Sequence, residues 1–120
     1  MSEKCIQEQC VIRPARQEDV PQILSFIKEL ADYEHMLNEV VATEDTLREW
    51  LFEKHTAEVV IAEYEEKPAG FALFFHNFST FLGRSGIYLE DLYVRPEYRG
   101  KGFGKTLLRH LAKLAEERGC

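Results

Sequence analysis

The stretch RGKGFGKT, Arg99–Thr106, sets three glycines among basic and aromatic residues. It follows the apolar run GIYLEDLYV (Gly86–Val94) and opens the leucine-rich run FGKTLLRHLAKLAEER (Phe103–Arg118). A glycine loop between a strand and a helix suits an anion. Without Cβ atoms, successive backbone N–H groups can turn toward one ligand, and the helix N-terminus adds its dipole and its unsatisfied donors. Spacing excludes two common phosphate loops. The P-loop pattern requires a glycine where Arg99 stands. The dinucleotide fingerprint fails at Lys105 when counted from Gly100, and at Leu107 when counted from Gly102. What remains is Arg99-x-x-Gly102-x-Gly104, with no Ser, Thr, Asp or Asn in the loop to cap the helix. Either a ligand phosphate takes the capping role or the segment is a plain glycine-rich β–α turn.

Upstream, the hydrophobic pattern predicts one β-rich unit. CVIRPA (Cys10–Ala15) reads as a short strand stopped by Pro14. In EDVPQILSFIKELADYE (Glu18–Glu34), Val20, Ile23, Leu24, Ile27, Leu30 and Ala31 have helical spacing, and Pro21 fits only in the first turn. Thr43 is placed to cap a second helix, with Glu44 and Asp45 in its first turn and Leu47, Trp50 and Leu51 turned inward. AEVVIAEYEE (from Ala57), GFALFFHNF (from Gly70) and GIYLEDLYV read as three strands. A turn at Glu65–Pro68 and a link at Leu82–Gly86 separate them, and the middle strand is apolar enough to be covered on both faces. The last helix carries Phe103, Leu107, Leu108, Leu111, Leu114 and Ala115 on its apolar side and stops at Gly119. The expected order is β-α-α-β-β-β-α, a mixed α/β (α+β) domain spanning residues 1–120 with a mostly antiparallel sheet.

With 120 residues, the chain makes one domain. No apolar run is long enough to span a bilayer, and the N-terminal MSEKCIQEQC lacks a signal h-region, so a cytoplasmic chain without membrane contact is expected. Cys5, Cys10 and Cys120 are odd in number and match no zinc or disulfide spacing. His35, His55, His76 and His110 are scattered, and no metal site is expected. The net charge of −6 argues against nucleic acid. Its distribution is uneven: residues 1–98 hold 9 basic and 19 acidic side chains, residues 99–120 hold 6 and 2. The glycine-loop end would attract an anion and the remainder a cation.

Strict alternation along Gly86–Val94 puts Tyr88, Glu90, Leu92 and Val94 on one face and Ile87, Leu89, Asp91 and Tyr93 on the other. Both faces are apolar, yet Glu90 and Asp91 sit side by side in the middle. A buried carboxylate needs a partner, water or a function. A bulge would aim one acid into a cleft and free backbone groups, whereas an acid bonded to a neighbouring loop is the alternative.

R-x-x-G-x-G after a strand ending YVRPEY resembles the acyl-CoA pyrophosphate loop of the GNAT N-acetyltransferases. IRPA (Ile12–Ala15), IKELADYE (Ile27–Glu34) and IYLEDLYVRPEYRGKGFG (Ile87–Gly104) are similar to the spermidine/spermine and thialysine subgroup. The resemblance implies transfer of an acetyl group from acetyl-CoA, as co-substrate, to a primary amine of a small cationic substrate such as a polyamine or thialysine. It implies that Arg99, Gly100, Lys101, Gly102, Phe103, Gly104 and Lys105 hold the donor's pyrophosphate. The backbone of Leu92, Tyr93 and Val94, on a bulged strand, would meet the thioester and pantetheine. Tyr33, Glu34, Glu90 and Asp91 would face the amine, with Glu90 the base if burial raises its pKa. For Tyr33 and Glu34, a core-edge ring and a solvated charge are the alternatives. An ammonium with pKa ~10.4 is about one part in ~10³ neutral at pH 7, a cost of about 4 kcal/mol that such an acid must offset.

The resemblance also implies a homodimer and further C-terminal elements: a strand, a helix and a hairpin carrying the tyrosine that protonates the departing thiolate. The chain is thus expected to be an incomplete domain of this kind, and a catalytically incomplete acyl-CoA-binding or interaction fragment is the alternative function. Arg16 stands where the family has a small helix-capping residue, with a modest loss of stability expected.

Overall fold

The β-branched run in EVVIAEY forms the strand at the middle of the architecture, β2 (Glu58–Tyr64). The computed structural model describes residues 10–120, so the expectations for Cys5 lie outside the described residues. Around β2 stand β1 (Cys10–Pro14), β3 (Lys67–Ser79) and β4 (Arg84–Val94), in the spatial order β1-β2-β3-β4 with every pair antiparallel. The helices are α1 (Val20–Tyr33), α2 (Glu44–Arg48), which runs on as a π-turn over Glu49–Glu53, and α3 (Phe103–Glu117). The expected element order and the antiparallel sheet are therefore present.

The β2–β3 turn is tighter than the expected Glu65–Pro68. Glu65 and Glu66 alone make it, with φ of 53° and 67°, which is the left-handed pair of a two-residue hairpin. Lys67 already pairs with Tyr64, and Pro68 with Glu63 beside a register shift. Proline is tolerated there because the bulge interrupts the ladder.

Alternating side chains of β2 and β3 feed two cores. Val60, Ala62, Ala72 and Phe74 pack against Phe103, Leu107 and Leu111 of α3. Val59, Ile61 and Phe71 face the other way, onto Ile23 and Phe26 of α1 and Leu51 after α2. Phe26, absent from the expected apolar face, is fully buried and stacks on Phe71 with centroids 5.2 Å apart. Trp50 does not turn inward. The bond from Lys54 N–H to Glu49 O spans a π-turn, which rotates Trp50 outward to 47% exposure under the Lys54 ammonium and puts Leu51 into the core. Leu108 is also exposed.

Local caps fix the helix ends. Thr43 Oγ1 accepts from Thr46 N–H, as its position predicted. Before α1, the carboxylate of Asp19 accepts the Arg16 N–H at 2.7 Å and is gripped by both terminal nitrogens of Arg13 at 2.7 and 2.9 Å. Arg13 holds the Asp19 carboxyl below its usual range, and the Asp19 carboxylate, bonded to the Arg16 N–H, fixes the 3-10 turn (Gln17–Asp19) that leads into α1. Both long helices end in Schellman turns. His35 and Met36 bond back to Asp32 O and Ala31 O with His35 at φ 60°, and Gly119 and Cys120 bond back to Glu116 O and Ala115 O with Gly119 at φ 73°.

β4 does not alternate strictly. Asp91 pairs with Leu73 but Leu89 pairs with Phe74, leaving Glu90 as an extra residue. Ile87 and Leu89 before the bulge, and Leu92 and Val94 after it, all pack toward the α3 core, while Tyr93 joins the α1 core. The expected grouping of Ile87 and Leu89 with Asp91 and Tyr93 is thereby corrected. Beyond the bulge β3 and β4 approach closely at Gly70, where a Cβ would lie 2.4 Å from Tyr93 O. Gly70→Ala is expected to destabilise the fold by about 1–3 kcal/mol through overpacking, read as a lower urea midpoint. An unchanged midpoint would show that the two strands separate there at no cost.

Candidate active site

The C-terminal end of β4 leads through a 3-10 turn (Pro96–Tyr98) into the glycine loop. Arg95 anchors this junction. Its Nε and Nη2 donate to the two oxygens of Glu29 on α1, at 3.1 and 2.8 Å, and its Nη1 to Pro68 O at 3.3 Å. Tyr93 donates its hydroxyl to the same Glu29 at 3.1 Å. Gly100 and Gly102 have φ of 81° and 85°, which side chains with a Cβ rarely adopt. From Gly100 to Lys105 no backbone N–H donates to any described residue, so six donors at the start of α3 remain available.

The residues that carry them line a cleft of about 470 Å³, together with Val94, Tyr98, Arg99 and Arg109. Arg99, Lys101, Lys105 and Arg109 make no ion pair among the described residues. The cleft therefore combines free N–H groups, a helix N-terminus and uncompensated positive charge. Arg109 was missed in the sequence, although it lies one helical turn beyond Lys105 on the same face. Of the three β4 residues whose backbone is expected to meet the thioester and pantetheine, Val94 also lines the cleft. Leu92 packs toward α3, and Tyr93 is buried against α1.

On the opposite side of the sheet, the bulge turns Asp91 toward α1. A pocket of about 180 Å³ forms there from Ile27, Leu30 and Ala31 of α1, Glu34 at its C-cap, Met36, Glu39 and Val40 of the returning chain, and Asp91. The reversal at His35 is what brings Met36, Glu39 and Val40 back over it. Asp91 is half-buried, whereas Glu34, Glu39 and Glu90 are exposed. None of the four has a cationic partner among the described residues. Burial first, then Glu90 and Glu34, push the Asp91 carboxyl up from its ordinary value. The burial required of Glu90 is found instead at its neighbour.

Tyr33 does not line this pocket. Its ring lies under the Arg99 guanidinium, 4.8 Å from carbon to centroid, between the acidic pocket and the basic cleft. Glu39 was unforeseen, because only the chain reversal after α1 brings it to Asp91. Among the described residues no group of three or more metal-ligating side chains converges, and no helix is long and apolar enough to cross a membrane.

The Asp91 shift has a thermodynamic consequence. A carboxyl whose folded pKa lies above its unfolded value loses stability for the fold as pH rises through the unfolded pKa, and the penalty is fully present above the folded pKa. Asp91→Asn is therefore expected to raise Tm at pH 7 and to leave it unchanged near pH 3. Equal Tm values at pH 7 would remove the burial argument.

Comparison with known proteins places these features. The profile of the Acetyltransferase (GNAT) family matches residues 23–120. The thialysine N-epsilon-acetyltransferase of Bos taurus is 38% identical over 119 residues, covering 92% of this chain and 69% of the relative. The spermidine/spermine N(1)-acetyltransferase-like protein 1 of Homo sapiens is 36% identical over 91% of this chain, which is 17% of that larger protein. An aminoglycoside acetyltransferase from an uncultured soil metagenomic sample, solved with sisomicin, superposes with a TM-score of 0.80 at 21% identity, covering 95% of this chain and 74% of that one, and so shares the fold. With the glycine loop, the bulged strand and most of the chain matched, the protein belongs to the GNAT family and is an acetyltransferase.

Proposed function

We propose that the chain moves the acetyl group of acetyl-CoA to the primary amine of a small cationic substrate, with the reacting atoms beside the β4 bulge. The observation that carries this reading is the placement of Asp91. It is a half-buried acid with a raised pKa in an apolar pocket rimmed by acids that have no cationic partner among the described residues. The basic cleft lies across the same strand. The relatives named for thialysine and for spermidine/spermine chemistry favour an amine of this class.

The residues fit the donor. Six N–H groups and four cations, none of them paired with a described residue, suit a pyrophosphate and a phosphate monoester. β4 lies at the edge of the described sheet, so backbone groups on its outer side are available to an extended amide-containing arm.

The amine would arrive as an ammonium, drawn by Glu34 and Glu39 at the pocket mouth. Ile27, Leu30, Met36 and Val40 would pack against its apolar stem. Asp91, a stronger base than an ordinary carboxylate, accepts the proton, and exposed Glu90 passes it to water. Glu90 is thus a relay, and the first acceptor is its neighbour. The neutral nitrogen attacks the thioester carbonyl carbon, a C–N bond forms, the C–S bond breaks, and CoA leaves as a thiolate that takes up a proton. Backbone N–H groups freed at the bulge are the donors for the oxyanion.

The test is release of CoA thiol with spermidine as acceptor. Asp91→Asn is expected to lower kcat by about 10²-fold or more and to leave the KM for acetyl-CoA unchanged, while Glu90→Gln costs less. The acidic limb of the pH–rate profile, where Asp91 must lose its proton to act as the base, should disappear or move in Asp91→Asn. Full activity in Asp91→Asn contradicts the assignment. Tight acetyl-CoA binding with no turnover of any cationic amine favours the non-catalytic acyl-CoA-binding alternative.

A further inference from the structure

Tyr33 is 65% exposed and lines neither cavity, and its hydroxyl makes no hydrogen bond to a described residue. What it touches is Arg99. The Arg99 guanidinium carbon lies 4.8 Å from the Tyr33 ring centroid and 5.7 Å from that of Tyr93, and its Nε donates to Val94 O at 2.9 Å. Tyr93 is itself fixed by Glu29. The guanidinium therefore sits over two aromatic rings and is held along one edge by a backbone carbonyl. Both Nη groups donate to no described residue, while Arg99 contributes to the wall of the 470 Å³ cleft. An arginine fixed in this way presents its remaining edge as a planar fork, the geometry that pairs with phosphate oxygens.

We propose that Tyr33 is a positioning residue for the acyl donor: it fixes the plane of Arg99 so that the Nη edge meets the donor's pyrophosphate. The inference rests on acetyl-CoA being the ligand of the cleft. It moves Tyr33 from the amine side, where the sequence placed it, to the donor side. The ring face supplies the contact, so the hydroxyl is dispensable.

Calorimetric titration of the whole chain with acetyl-CoA, and separately with spermidine, tests this. Tyr33→Ala is expected to weaken acetyl-CoA binding about two- to fivefold, the size of an exposed cation–π contact. Tyr33→Phe should bind like the parent, and Tyr33→Ala added to Arg99→Ala should cost nothing more. Spermidine affinity should be unchanged in Tyr33→Ala, and so should Tm. An unchanged acetyl-CoA affinity in Tyr33→Ala overturns the inference, as does an equal loss in the Arg99→Ala background or a loss confined to spermidine. If the parent chain fails to bind acetyl-CoA at all, the donor reading of the cleft falls, and this inference with it.

Discussion

The site depends on one extra residue in β4. Glu90 has no partner across β3, and its insertion resets the side of the sheet to which every later residue belongs. Ile87, Leu89, Leu92 and Val94 can then all reach the α3 core, and Asp91 turns toward α1 without any of them leaving apolar surroundings. A regular strand would have to bury a carboxylate against α3 or expose a leucine. The bulge avoids that conflict and frees backbone groups between the acidic pocket and the basic cleft.

Two features hold α1 in register with the strand beyond the bulge. Glu29 ties α1 to Tyr93 and Arg95, while Phe26 stacks on Phe71 beneath them and has the Arg95 guanidinium over its ring. At the end of α1 the left-handed residue His35 reverses the chain, so Glu34 and Glu39 come to the same opening from different turns of backbone. Opposite charge thus gathers on the two sides of one strand. The acids suit a cation and the cleft suits an anion, with the bulge between them.

Much of this is legible in the amino-acid sequence. The glycines of RGKGFGKT marked a backbone free to turn its N–H groups toward one side, and Gly100 and Gly102 do so at positive φ. Thr43, Pro21 and Gly119 announced helix ends through local chemistry that acts over three or four residues. What failed were inferences that assumed an unbroken period. Ile87, Leu89, Leu92 and Val94 are spaced two, three and two apart, a slip that marks a bulge, but counting from Gly86 by twos hid it. The π-turn did the same to Trp50, because a 3.6-residue period places that ring inward. Glu39 and the stacking of Tyr33 on Arg99 were beyond reach for another reason. They depend on where a reversed chain lands and on a contact between residues far apart in sequence, and neither leaves a local pattern.

The central claim is that one donor molecule spans the loop and the bulge. It is tested most directly by following backbone amide resonances of the isotopically labelled chain during titration with acetyl-CoA, and in parallel with Mg·ATP. A donor lying along both elements shifts the amides of Gly100–Lys105 together with those of Leu92–Val94, with one common dissociation constant, while Mg·ATP leaves the Leu92–Val94 group unmoved. Acetyl-CoA shifts that bypass Gly100–Lys105, or a Mg·ATP response at both groups with none from acetyl-CoA, would contradict it.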